Sequence, residues 1–184
     1  DEARILFARL LDARGDKIKA VLVLKPAVGS KDEVVRGHAL EEIAKLLSAL
    51  GRNEEAVRYL EMLYYELPGH DRASNARRWL VRIRKKLPEV SDTYLYGLAF
   101  NRAQQFVKDK RYHDAYKEFA SILKRFPNIA DTDLVRLRMA ISQYHRRQLT
   151  ASIANFKRVD RKELVPEALF YRAEVARRLQ HRAT

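Results

Sequence analysis

Residues 96–127 read YGLAFNRAQQFVKDKRYHDAYKEFASILKRFP. Ala103 and Ala115 stand twelve apart, the aromatics Phe106 and Phe119 follow them, and Pro127 lies twelve beyond Ala115. Two short helices packed face to face need this order. A small residue on each lets the backbones approach, an aromatic fills the space beside it, and proline ends the second helix. The segment predicts one antiparallel helical hairpin.

The same order recurs along the chain. Ala8, Ala20 and Leu24 repeat it, as do Ala44, Ala56 and Leu60, then Ala103, Ala115 and Phe119, then Ala140, Ser152 and Phe156: small, small, large at offsets +12 and +16. Gly15 and Gly51 fall where their hairpins must turn, and Pro68 stands twelve after Ala56. Ala173 marks a fifth start, and the starts are separated by 36, 59, 37 and 33 residues. The long interval holds one extra helix, residues 71–88. On these residues the chain resembles the tetratricopeptide-repeat family, whose hairpins run to about 34 residues with small, aromatic and proline positions in this order. The expected fold is all-α: an α-solenoid of antiparallel helical hairpins with about ten helices over residues 1–184. Its last helix, PEALFYRAEVARRLQ, reads as half of a further hairpin with its apolar stripe half covered, as in a piece of a longer array.

Punctuation places the helices. The expected spans are 2–14, 17–24, 33–50, 53–67, 71–87, 92–109, 112–126, 132–146, 149–159 and 166–180, with a loop at 27–32 capped by Ser30 or Asp32. In the first, Ile5, Phe7, Ala8 and Leu11 form the apolar face; in the fifth, Ala73, Ala76, Trp79, Leu80, Ile83 and Leu87 do. Around that second stripe lie Arg72, Arg77, Arg78, Arg82, Arg84, Lys85 and Lys86, a solvated face and a candidate polyanion surface.

Charge is unevenly spread. Residues 1–70 sum to −1 and residues 71–184 to +14, giving the net +13. Such a surface suits an anionic partner: a glycan of the cell wall with its peptide carboxylates, an acidic protein segment, an anionic lipid headgroup, or nucleic acid held without specificity at low salt. No apolar run reaches the roughly 20 residues needed to cross a bilayer, and the start lacks the basic-then-apolar order of a signal peptide. Cysteine is absent, so disulfides and thiolate chemistry are excluded.

Catalytic signatures are not found. The histidines His38, His70, His113, His145 and His181 are scattered more than thirty residues apart, which reads as surface or helix-end placement and not as a metal site. No glycine-rich phosphate loop or nucleophile elbow occurs, and the pairs Tyr64-Tyr65 and Phe170-Tyr171 read as core. No cofactor or metal is expected.

Three segments carry a narrower resemblance. AVRYLEMLYYELPGHDRASNARRWLVRI, RAQQFVKDKRYHDAYKEFASIL and EALFYRAEVARRLQ are similar to the superhelical region of bacterial soluble lytic transglycosylases. In that family a lysozyme-like domain beyond the superhelix cleaves the glycan strand. Its Glu-Ser pair, Gly-Leu-Met-Gln-like run and Ala-Tyr-Asn-like run have no counterpart here, so the resemblance implies the non-catalytic body of a periplasmic enzyme. The alternative is a cytoplasmic tetratricopeptide adaptor holding a partner peptide in the groove lined by the first helix of each hairpin. Matching repeat positions directs Lys45, Gln104, Lys108, Tyr144, His145, Arg177 and Arg178 toward that groove. The lysine and asparagine clamp of chaperone-binding members is not reproduced there.

Overall fold

A computed structural model describes residues 2–128 and 131–183, the side chains of 181–183 excepted. The described residues form ten α-helices and no strand, and the fold class is the all-α solenoid type expected from the repeat. They are α1 (Glu2–Ala13), α2 (Lys17–Leu24), α3 (Glu33–Ala49), α4 (Asn53–Glu61), α5 (Ala73–Arg84), α6 (Asp92–Lys108), α7 (Tyr112–Arg125), α8 (Thr132–His145), α9 (Leu149–Phe156) and α10 (Val165–Ala183). The chain divides into two compact units, residues 1–90 and 91–184.

The small-small-large register is where the packing closes. All twelve of its residues, from Ala8 through Phe156, are at most 2% exposed. Each alanine or serine pair sits on facing helices of one hairpin, α1 with α2, α3 with α4, α6 with α7, and α8 with α9. A larger side chain at either position would hold the two backbones apart.

A shared turn closes each hairpin. Seven residues after the first small position the backbone is left-handed every time: Gly15 (φ +82°), Gly51 (+76°), Lys110 (+57°) and Arg147 (+61°). The next N–H then reaches back to the helix it has just left: Asp16 to Leu11 O at 2.9 Å, Arg52 to Leu47 O at 2.9 Å, Arg111 to Phe106 O at 2.8 Å, Gln148 to Gln143 O at 3.0 Å. This C-cap satisfies carbonyls that the helix end would otherwise leave unpaired. Glycine fills the turn without strain in two hairpins, whereas lysine and arginine bear the left-handed cost in the others.

In the first unit one continuous core runs from Ile5 to Ile83. Asp32 caps α3, its carboxylate accepting from the N–H groups of Val34 (2.8 Å) and Val35 (3.3 Å). Residues expected as loop include a 3-10 turn, Lys25–Gly29, with Ala27 fully buried. A π-turn, Met62–Glu66, ends the second hairpin just before the buried Pro68. The extra helix α5 lies on α4 and this π-turn through Ala76, Leu80 and Ile83, with Trp79 and Leu87 half-buried beside them. Phe7, expected on the core face of α1, is 52% exposed, because Ile5, Ala8 and Leu11 alone complete that face.

The second unit shares α8 between two cores. Val135 and Met139 pack with α6 and α7, while Leu137, Ala140, Ile141 and Tyr144 pack with α9 and α10. Ser91 caps α6 by accepting from Tyr94 N–H at 3.3 Å. On α10 the buried positions are Ala168 and Val175. Ala173, expected as a fifth small contact, is exposed, and so are Leu169, Phe170 and Leu179. Phe170 therefore is not core, although its neighbour Tyr171 packs against Phe156, rings parallel at 5.5 Å.

Candidate functional site

The expected groove residues divide between the two units. In the first, Lys45 is exposed on α3 and pairs with its own helix, 3.2 Å from Glu41 and 3.7 Å from Glu42. In the second, α6 carries Gln104, half-buried, and Lys108, exposed near its C-terminal end.

The remaining four come together at α8 and α10. Tyr144 is buried, with Tyr171 edge-on to it at 5.3 Å and the Arg178 guanidinium over its ring at 4.0 Å. Its hydroxyl donates to Glu174 at 3.4 Å, and Glu174 in turn accepts from Arg177 at 2.9 Å. His145 is exposed at the end of α8, stacked on Tyr112 of α7 with ring centroids 4.3 Å apart and an interplanar angle of 10°. Helical periodicity produces this meeting: Glu174, Arg177 and Arg178 lie one turn apart on α10 and cover the aromatic ridge of α8.

Burial first, then Arg178, lowers the His145 imidazole below its ordinary value, so the ring is a neutral hydrogen-bonding group at pH 7. Arg177 holds the Glu174 carboxyl below its usual range. A cation against an aromatic face is pre-ordered at little entropic cost. Arg177 is held by Glu174 and Arg178 by the Tyr144 ring. Tyr144 itself is a platform beneath Arg178 and not a contact surface. An open cavity of this unit, about 440 Å³, is lined by other residues, among them Tyr116, Gln143, Arg147 and Leu179.

The basic helix α5 is less uniform than its sequence. Arg72 and Arg84 turn inward and donate to Glu41 of α3 and Glu61 of α4, two glutamates buried to 7% and 5% exposure. Arg77, Arg78, Arg82, Lys85 and Lys86 are exposed. Burial alone would push the Glu41 carboxyl up, but Arg72 and Lys45 more than reverse it and hold it below its ordinary value. Beside this helix a shallow cavity of about 260 Å³ is lined by Ser48, Asn53, Trp79, Arg82, Ile83 and Lys86.

Scattered in sequence, two histidines meet in space. His38 on α3 and His70 in the turn before α5 lie with ring centroids 5.6 Å apart, and the His70 side chain is only 3% exposed. Of the surface or helix-end placement expected for the histidines, His70 takes the second, in the turn beside the start of α5, with its ring covered. His113 and His145 are exposed, and His181 lies outside the described side chains. Spacing along the chain gave no signal for this pair because the turn at 67–72 carries His70 back over α3. Gly37, one residue before His38, is the only hint: a Cβ there would lie 2.2 Å from the His70 ring.

Among the described residues no helix is long and apolar enough to cross a membrane. No family model matches the sequence, and no curated protein matches it. Solved structures do resemble it. The TPR domain of P58(IPK) is 23% identical with a TM-score of 0.39, the match covering 95% of this chain and 45% of that one. A putative kinesin light chain from Podosopora anserina with nearly identical TPR-like repeats is 17% identical with a TM-score of 0.41, over 99% of this chain and 86% of that one. MamA RS-1, as a double mutant, is 12% identical with a TM-score of 0.34, over 97% and 95%. The chain thus spans less than half of the first of these.

Proposed function

We propose that the chain is a non-catalytic helical-repeat scaffold that holds an acidic partner against the second unit. The observation that carries this reading is the ridge formed by Tyr112, Tyr144 and His145 with Arg177 and Arg178 set along it. A cation stacked on a ring and a second one braced by a carboxylate present fixed donors to an incoming carboxylate. The second unit, residues 91–184, has 19 Lys and Arg against 10 Asp and Glu, a net +9 that favours approach of an anionic ligand.

For the setting we propose the superhelical body of a peptidoglycan lytic transglycosylase, with 1–184 forming one array in the periplasm. Its support is the likeness of segments 56–83, 102–123 and 167–180 to that family. The second reading is a protein-binding adaptor, cytoplasmic in setting, in which the same arginines of α10 meet an acidic peptide side chain.

The test uses two ligands at about 0.15 M salt, near physiological screening: purified peptidoglycan sacculi and a fluorescent glutamate-rich peptide. With K108E/R177E, binding of the true ligand falls at least tenfold while the melting temperature holds. Retention by sacculi supports the cell-wall body, and peptide binding alone supports the adaptor. Binding unchanged in the double variant would remove the ridge from consideration.

A further inference from the structure

We infer that His38, His70 and Asp71 form a zinc site in the first unit. Donor atoms of the three lie within 4.8 Å of one another. They come from two segments, α3 and the turn that leads into α5, so an ion here ties the second hairpin to the extra helix.

The hydrogen bonding of His70 sets the site up. Its Nε2 lies 3.3 Å from Val34 O, and a carbonyl can only accept, so Nε2 carries the proton. Nδ1 is then the lone-pair nitrogen; it accepts from the Arg72 N–H at 3.1 Å, a bond that an incoming ion replaces. Yet an Asp71 carboxylate oxygen stands 2.9 Å from that same Nδ1. A proton or a metal cation between these two atoms relieves the repulsion of their lone pairs. Zinc bonds of about 2.1 Å place neighbouring donors about 3.4 Å apart in a tetrahedron, between the 2.9 Å of the His70–Asp71 pair and the 4.8 Å that bounds the set. An imidazole that gives its other N–H to a backbone carbonyl is the usual orientation of a zinc-bound histidine.

His38 completes the set. For two imidazoles on one tetrahedral zinc, ring centroids fall about 5 Å apart, against 5.6 Å at 84° here. The neighbouring cations are matched: Arg72 is paired with Glu41, and Arg9 with Glu42 at 2.9 Å. The Asp71 charge therefore remains for the ion. Gly37 leaves the space in which the His70 ring sits, and with three protein donors the fourth position of the ion falls to water.

The experiment is calorimetric titration of Zn²⁺ into the full chain lacking any histidine tag, with H38Q and D71N alongside. Both variants change half-buried or exposed side chains and should fold, which circular dichroism checks. One zinc per chain, with affinity at least tenfold lower in each variant and a zinc-dependent rise in melting temperature lost in both, is the expected result. No binding up to about 1 mM Zn²⁺, a free energy of only about 4 kcal/mol, would overturn the site. So would binding that H38Q and D71N leave unchanged.

Discussion

Replacing Phe119 by alanine tests the hairpin register at its most demanding point. The ring is fully buried, faces Phe100 edge-on with centroids 5.8 Å apart, and shares its core with Ala103 and Ala115. Truncating a buried phenylalanine costs about 3–5 kcal/mol, because the transfer term is joined by the cavity left behind. Of this, the lost edge-to-face pair accounts for about 0.5–1.5 kcal/mol. A unit of about 90 residues holds roughly 5–14 kcal/mol in all, so the variant should remain folded but lose a large part of its margin. Phe170→Ala is the control: in the same unit, also aromatic, but 62% exposed, and expected to cost no more than about 0.5 kcal/mol. Urea unfolding followed by far-ultraviolet circular dichroism reads both. With a slope of about 1–3 kcal/mol per molar, the Phe119 midpoint should fall by at least about 1 M and the Phe170 midpoint should barely move. A Phe119 variant within 1 kcal/mol of the parent, or a Phe170 variant costing as much, would refute the register.

Two further predictions follow from the turn and from acid titration. Lys110→Gly and Arg147→Gly should each be neutral or stabilise by up to about 1 kcal/mol, since glycine relieves a left-handed strain of about 1–2 kcal/mol at the cost of chain entropy; destabilisation beyond 1 kcal/mol in urea unfolding would show the exposed side chains matter. Asp133 accepts from the N–H groups of Asp160 and Arg161, both at 2.9 Å, binding the start of α8 to the chain before α10. Burial pushes its carboxyl up, but those two N–H groups and Arg136 outweigh it and hold it below its ordinary value. A depressed folded value means stability that is present above about pH 4 and lost as pH falls through it. Asp133→Asn should cost about 1–2 kcal/mol at neutral pH and flatten the acid side of the melting temperature against pH; an acid side as steep as the parent's would place the effect elsewhere.

What the sequence made legible follows from physics that acts at fixed offsets. Ala20, Ala56, Ala115 and Ser152 announce themselves because close helix approach admits no larger side chain, and all four are fully buried. Gly15 and Gly51 announce the turn, but Lys110 and Arg147 adopt the same left-handed backbone with residues that carry no such signal. Long-range pairing was hidden. Glu41 and Glu61 look like ordinary helix-surface acids, and only the fold brings Arg72 and Arg84 of the α5 region across to them. The candidate site was half legible: repeat matching pointed to Tyr144, His145, Arg177 and Arg178, which do meet, but gave no sign that Tyr144 is buried under Arg178 or that Tyr112 stacks on His145. His38 and His70, thirty-two residues apart, met only through a turn whose path no local pattern encodes.

The most direct test of the binding account is amide chemical-shift mapping of the isotope-labelled chain titrated with the glutamate-rich peptide at about 0.15 M salt. Saturable shifts confined to the end of α8 and to α10, centred on His145, Arg177 and Arg178, are the predicted result. Shifts that centre on the exposed basic residues of α5, or no saturable shifts at all, would contradict it.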